Sequence, residues 1–175
     1  DPHAAAQRAV SLHIRQLDEA GFDACRQGLI ALLIDAVANG ASVGFLADID
    51  IQQANAYFDD VRSALCSGAL AIWVAEEDEK VLGSVQLSLC LKPNGLNRGE
   101  VQKLLVLSSA RRRGIARLLM QQLETHARQL KRGLLYLDTE AGSEAEHLYL
   151  DLGYTTIGGL PDFACGPDGQ YRANA

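Results

Sequence analysis

The sequence holds only four cysteines, Cys25, Cys66, Cys90 and Cys165, all far apart and with no Cys-x-x-Cys pair. Its four histidines, His3, His13, His126 and His147, show no His-x-x-x-His or similar ligand spacing. Metal chelation or a dithiol redox pair needs such spacings, so neither is expected, and the thiols are expected to be reduced and mostly buried. Long apolar runs are also missing. None comes near the ~20 residues of a membrane span, and no basic-then-apolar leader with a cleavage site opens the chain. A soluble, cytoplasmic protein that does not act on membranes is expected. There are no internal repeats and no low-complexity stretches. With 175 residues and 48% hydrophobic content, the chain can fill one core and is short for two, so residues 1–175 are expected to form a single domain. It starts without methionine and stops at Ala175, which suggests trimmed ends.

What is present is a concentration of positive charge in an acidic chain. The net charge is -6, yet eight of the sixteen Lys and Arg residues fall between Val101 and Arg132, with Glu124 the one acid there. Local basicity of this kind suits a polyanionic small molecule better than a nucleic acid, which usually needs an extended basic face. At its centre stands Arg111-Arg112-Arg113-Gly114-Ile115-Ala116-Arg117, preceded by the largely apolar run from Val101 to Leu107. After it come Ile115, Leu118, Leu119, Leu123, Ala127 and Leu130 at helical spacing, with Gly133 as the stop. A strand therefore feeds a basic glycine turn that opens a helix. The first turn of a helix leaves N–H groups unpaired at the positive end of its dipole, which makes an anion socket. Gly114 admits a ligand close to the backbone, and Ala116 keeps the next position small.

The remaining pattern is regular. Val10 to Leu17 alternates as a strand, with Val10, Leu12 and Ile14 on one face. Asp18 caps a helix to Ala38, stopped by Asn39-Gly40, and a second helix runs from about Asp50 to Cys66. Ala69 to Ala75 and Lys80 to Leu91 read as a strand pair around the acidic turn Glu76 to Glu79, followed by a strand from Arg98 to Leu107. Leu134 to Asp138 is a short buried strand. With a helix before it, its pairing is expected to be parallel, through a right-handed crossover. A helix from Ser143 to Leu152 and a strand from Tyr154 to Gly159 complete the pattern.

The spacing Arg-x-x-Gly-x-Ala after Leu104-Leu105-Val106-Leu107 resembles the coenzyme A signature of the GNAT superfamily of N-acetyltransferases. Glu100 to Val106, Asn94 to Arg98, Lys131 to Leu135 and Leu137 to Ser143 are similar to the tabtoxin-resistance acetyltransferase branch. The resemblance implies an α/β (α+β) GNAT fold: a mixed, mostly antiparallel sheet of six to seven strands, splayed between the fourth and fifth, flanked by four helices. It implies acetyl-CoA as co-substrate and no metal. Its pantetheine arm would lie along Leu104, Leu105 and Val106, and its diphosphate on Arg111, Arg112, Arg113, Gly114, Ile115, Ala116 and Arg117. The first two helices and their loop would wall the acceptor, which makes Ser42, Val43, Gly44 and Phe45 contact candidates.

Acetyl transfer from a thioester to an amine requires deprotonation of the amine, alignment, and a proton for the leaving thiolate. Tyr149, in Ala145-x-x-x-Tyr149-x-x-x-Gly153-Tyr154, resembles the family tyrosine beside the coenzyme sulfur and is the candidate general acid; Tyr154 reads as core. Glu100 and Asp138, at the ends of neighbouring strands, are candidates to hold or deprotonate the amine, with Glu140 as a third. Two departures stand out: Gly142 replaces a common Asn seven residues before the tyrosine, and Arg112 stands where glycine is common. The resulting expectation is an N-acetyltransferase of a small amine, such as a toxin, antibiotic or amino-acid-like metabolite, by direct attack in a ternary complex. No cysteine in these motifs suggests a covalent intermediate. A protein N-acetyltransferase and a non-catalytic acyl-CoA sensor are the alternatives, with a monomer or homodimer in either case.

Overall fold

A computed structural model describes residues 12–175. In chain order the elements are β1 (His13–Gln16), α1 (Glu19–Ala38), α2 (Ile51–Cys66), β2 (Leu70–Glu77), β3 (Lys80–Leu89), β4 (Arg98–Val106), α3 (Ile115–Gln129), β5 (Leu134–Tyr136), α4 (Glu144–Asp151), β6 (Ala164–Cys165) and β7 (Tyr171–Arg172). Strands β1 to β5 form one sheet in sequence order, antiparallel from β1 to β4 and parallel between β4 and β5. Strands β6 and β7 make a separate hairpin. Among the described residues the expected sheet of six to seven strands is a sheet of five with this hairpin apart from it.

Strand β2 explains why the sheet is buried on both sides. Successive side chains point to opposite faces. Leu70, Ile72 and Val74 pack with Phe22, Leu29, Leu32 and Leu33 of α1 and with Phe58 of α2. Ala71, Trp73 and Ala75 face Ile115, Leu119, Met120 and Leu123 of α3. The run Leu-Ala-Ile-Trp-Val-Ala is apolar throughout because neither face meets water. Leu12 and Ile14 join the α3 side, as their alternation predicts; Val10 lies outside the described residues.

Helix starts follow local chemistry. The Asp18 carboxylate accepts from the Gly21 N–H at 2.7 Å. Asp50 forms a capping box, accepting from the Gln53 N–H at 2.7 Å while its own N–H donates to Gln53 Oε1 at 3.0 Å. Asp50→Ala removes one partner of that pair and is expected to lower stability by about 1 kcal/mol, a fall of about 2–4 °C in Tm for a chain of this size. A thermal melt checks it.

Three expectations need correction. The stretch from Tyr154 to Gly159 is not a strand, and Ile157 is 99% exposed. Its threonines and isoleucine favour extended backbone, but a strand exists only where a neighbouring edge accepts its hydrogen bonds. Strand β5 is not buried either: Leu134 and Tyr136 are exposed. Of the four thiols, which are all free, only Cys25 is buried.

Candidate functional site

The site begins where the sheet comes apart. Strand β4 pairs with β5 only from Arg98 to Glu100, opposite Leu134 to Tyr136, and then runs on to Val106 bonded to β3 alone. The splay expected between the fourth and fifth strands is thus present. Opposite Val85 the ladder slips, since Ser84 pairs with Leu105 but Gln86 with Gln102, leaving Lys103 and Leu104 to face one residue. Lys103 has φ +53, the left-handed region that L side chains rarely adopt. A bulge of this kind bends its strand and re-aims side chains. The opening is a cleft of about 870 Å³, within the ~300–1,000 Å³ of ordinary ligand sites. Backbone polar groups of β4 from 101 to 106 that do not bond to β3 face this gap, where an extended ligand can pair with them as a strand would.

At one end of the cleft stands the N-terminus of α3. Helices α1, α2 and α4 each begin with a side-chain cap, from Asp18, Asp50 and Ser143. Helix α3 begins at Gly114, with φ +74 and no side-chain cap. Its first-turn N–H groups are therefore left to whatever occupies the cleft. Arg111, Arg112, Gly114, Ile115, Ala116 and Arg117 line this end, as do Leu104, Leu105 and Val106 along the strand. Arg113 does not: its guanidinium pairs with Glu77 at the β2–β3 turn and holds that carboxyl below its usual range. Arg112 has φ +63, which explains why a glycine would sit there without strain.

Tyr149, Glu100 and Asp138 all reach the same cleft. Tyr149 is 8% exposed, and its hydroxyl makes no hydrogen bond among the described residues. Burial pushes its pKa up to about 12. Tyr154 is half-buried against it, with ring centroids 5.7 Å apart, and donates to Glu124 Oε1 at 3.2 Å. Glu100 is the last β4 residue paired with β5, and Asp138 follows the end of β5, so the two carboxylates come from the two strands that part here. Glu140 also lines the cleft but is engaged: Arg172 Nε lies 3.5 Å from its Oε1, and its backbone bridges to Asn174. Gly142 has φ +78 and gives its N–H to Glu146 Oε2 at 2.6 Å, so this position serves the backbone turn into α4.

At the other end, Ser42, Val43 and Gly44 line the cleft. Phe45 instead stands edge-on to Tyr57, with centroids 5.3 Å apart. Sequence reasoning missed the contribution of the C-terminal segment. Thr139 and Ala175 exchange backbone hydrogen bonds of 3.0 and 2.8 Å, which brings Phe163, Ala164, Arg172, Ala173 and Asn174 to the cleft. The Pro167 carbonyl accepts from the Ala47 N–H at 3.1 Å, tying this segment to the α1–α2 loop. Lys103 was missed too. A lone cation within an apolar strand was the available signal. Burial lowers its pKa, and Asp138 and Glu100 partly oppose that shift.

Among the described residues no group of three or more His, Cys, Asp or Glu side chains could hold a metal ion, and no helix is long and apolar enough to cross a membrane. A sequence model of the Acetyltransferase (GNAT) family matches residues 45–154. The structure is similar to that of a ribosomal-protein-alanine N-acetyltransferase from Brucella melitensis, with 25% identity and a TM-score of 0.77 over 93% of this chain and 96% of that one. It is similar to an N-acetyltransferase from Staphylococcus aureus Mu50, with 23% identity and a TM-score of 0.75 over 94% of each chain. It also resembles yncA of Salmonella typhimurium, solved with its cofactor acetyl-CoA, with 17% identity and a TM-score of 0.74 over 94% and 90%. The splayed strand, the uncapped helix start and the sequence match over more than half of its length agree: the chain belongs to the GNAT family of acetyltransferases.

Proposed function

We propose that this protein, as a single domain, transfers the acetyl group of acetyl-CoA to the amine of a small molecule. The observation that carries the reading is the α3 N-terminus, the one start among the four α-helices of the described residues without a side-chain cap, opening on the gap between β4 and β5. The N–H groups of Arg112 to Ala116 and the nearby arginines would hold the diphosphate, and the backbone of Leu104, Leu105 and Val106 the pantetheine arm. In the ternary complex the amine nitrogen attacks the thioester carbonyl carbon; the N–C bond forms and the C–S bond breaks. Glu100 or Asp138 takes the ammonium proton before attack, directly or through water; the second proton, shed by the nitrogen as the amide forms, passes through water to the departing thiolate, and an N–H of the splayed half of β4 stabilises the oxyanion.

Tyr149 faces the leaving sulfur as a hydrogen-bond donor. With its pKa at about 12, it stays protonated against a thiolate whose parent thiol lies near ~8.5. It stabilises the developing charge more than it surrenders its proton. Tyr149→Phe is therefore expected to lower kcat by about tenfold, below the ~10²–10⁴ of a well-matched general acid, with acetyl-CoA affinity and Tm nearly unchanged. The phenol works in its protonated form, so activity would fall only as pH rises through its pKa. The kcat profile is expected to show no falling limb from it below pH 10 or so. Wild-type turnover in Tyr149→Phe, where chemistry limits the rate, would show that the ring only packs.

A second reading, acetylation of a protein N-terminus, has one observation in its favour, the likeness to the Brucella ribosomal-protein-alanine N-acetyltransferase. The C-terminal segment joined to the α1–α2 loop favours a small acceptor. An acceptor screen with acetyl-CoA, following thiol release, decides between them. Small amines, including the toxin and antibiotic amines suggested by the tabtoxin-resistance resemblance, are expected to turn over; N-terminal peptides turning over instead would establish the second reading. Coenzyme binding without turnover of any amine would leave a sensor module.

A further inference from the structure

The acceptor end of the cleft holds a cation that the acetyl-transfer chemistry above does not use. Lys103 sits on the β4 bulge at φ +53, a backbone conformation that glycine or asparagine would hold with less strain. Its Nζ lies 5.7 Å from the centroid of the Tyr57 ring, within cation–π range. That ring is fixed in place: Phe45 stands edge-on to it, and its hydroxyl shares a hydrogen bond with the buried Gln86, which Gln102 also contacts at 3.1 Å. A Cβ built on Gly44 would lie 3.9 Å from the Lys103 ammonium, so the tip of the side chain reaches the α1–α2 loop. Lys103, Gly44, Glu100 and Asp138 line one cleft.

The cation that the C-terminal segment brings to the cleft is matched: Arg172 lies against Glu140 and Asp168. Among the described residues, Lys103 donates no hydrogen bond and has no carboxylate within 4.0 Å. An ammonium has three donors and no acceptor, and a half-buried one left unpaired is costly. Glu100 and Asp138 act on it only from a distance.

We propose that Lys103 binds a carboxylate on the acceptor, so that the substrate is an amine that also carries a carboxylate, an amino acid or a close analogue. The proposal rests on the acetyl-transfer reading and names its acceptor class. The charges are complementary: the substrate ammonium faces Glu100 and Asp138, and its carboxylate takes the donors of Lys103. A single compact cation beside two carboxylates suits a monoanion; a phosphate dianion would meet those carboxylates with only one cation to offset them.

The test uses the full chain with saturating acetyl-CoA and a panel of L-amino acids, each paired with its carboxamide. The quantity read is the ratio of kcat/KM for acid over amide in wild type and in Lys103→Met. Intrinsic differences in amine reactivity cancel between the two proteins. The ratio is expected to fall by about tenfold or more in the variant, the lower range for a charge-assisted hydrogen bond, with the loss carried by the KM of the acid. An unchanged ratio overturns the proposal. So does an equal fall in kcat for acid and amide, which would assign Lys103 to the chemistry. Lysine Nζ NMR on the wild-type protein with coenzyme A gives a readout that needs neither turnover nor a folded variant. Titration with N-acetyl amino acids should move the Lys103 signal and their amides should not; equal responses overturn the proposal. Absence of turnover for every amine, with coenzyme bound, would sink the acetyl-transfer reading alone, while the NMR result still decides the carboxylate site.

Discussion

Gly114→Asp is expected to weaken acetyl-CoA binding by about a hundredfold while leaving the fold intact. Gly114 is exposed, and a Cβ there would meet nothing within 4 Å, so the variant has room. Its φ of +74 is one that Asp and Asn tolerate better than other side chains. What changes is the charge. A carboxylate about 5 Å from a phosphate charge costs about 1 kcal/mol in bulk water and about 3 at an effective dielectric constant near 20. Two phosphates double that, and every ~1.4 kcal/mol is a factor of ten in affinity. An aspartate at a helix start also competes for the same first-turn N–H groups. Gly114→Asn has nearly the same shape and strain without the charge and is expected to lose less than about fivefold, because the left-handed strain of ~1–2 kcal/mol is present in the free and the bound protein alike. Calorimetric titration of both variants separates charge from backbone. Unchanged affinity in a folded Gly114→Asp protein would remove the diphosphate from this helix end.

Glu100→Gln combined with Asp138→Asn is expected to reduce turnover by ~10²–10⁴-fold, the range of base catalysis, while acetyl-CoA binding stays within about threefold. Both changes keep side-chain shape and remove charge. The two residues come from the strands that part at the cleft, and both act on the charge of Lys103, so they share one space with it. The single variants apportion the role. If one carboxylate takes the proton and the other holds the ammonium, one amide variant loses kcat and the other mainly raises KM. A double variant within about threefold of wild-type turnover at saturating acceptor would transfer the base role to water.

Much of this was legible in the chain itself, because the signals were local. Asp18, Asp50 and Ser143 announce helix starts by the hydrogen bonds their side chains can make within three residues, and all three are the observed caps. The alternation in β2 and the helical spacing from Ile115 to Ala127 describe faces, and the two cores follow those faces. The basic glycine turn identified the uncapped helix start, since an anion socket is built from consecutive residues.

Where the outcome depended on residues far apart in sequence, the chain alone was silent or misleading. Arg113 carries the same charge as its neighbours, and only the approach of the β2–β3 turn turned it towards Glu77 instead of the cleft. Thr155 to Ile157 favour a strand, yet none forms without an adjacent edge. The closing of the cleft by the segment around Arg172 depends on backbone bonds between Thr139 and Ala175. The bulge that brings Lys103 beside Tyr57 arises from a mismatch of register between β3 and β4. Periodicity, caps and glycine turns are set within a few residues by backbone sterics and hydrogen bonding, so sequence by itself determined most of the elements and the uncapped start of α3. Ion-pair partners, strand edges and ladder register are chosen among distant segments by packing, so only the tertiary structure decided which charges line the cleft.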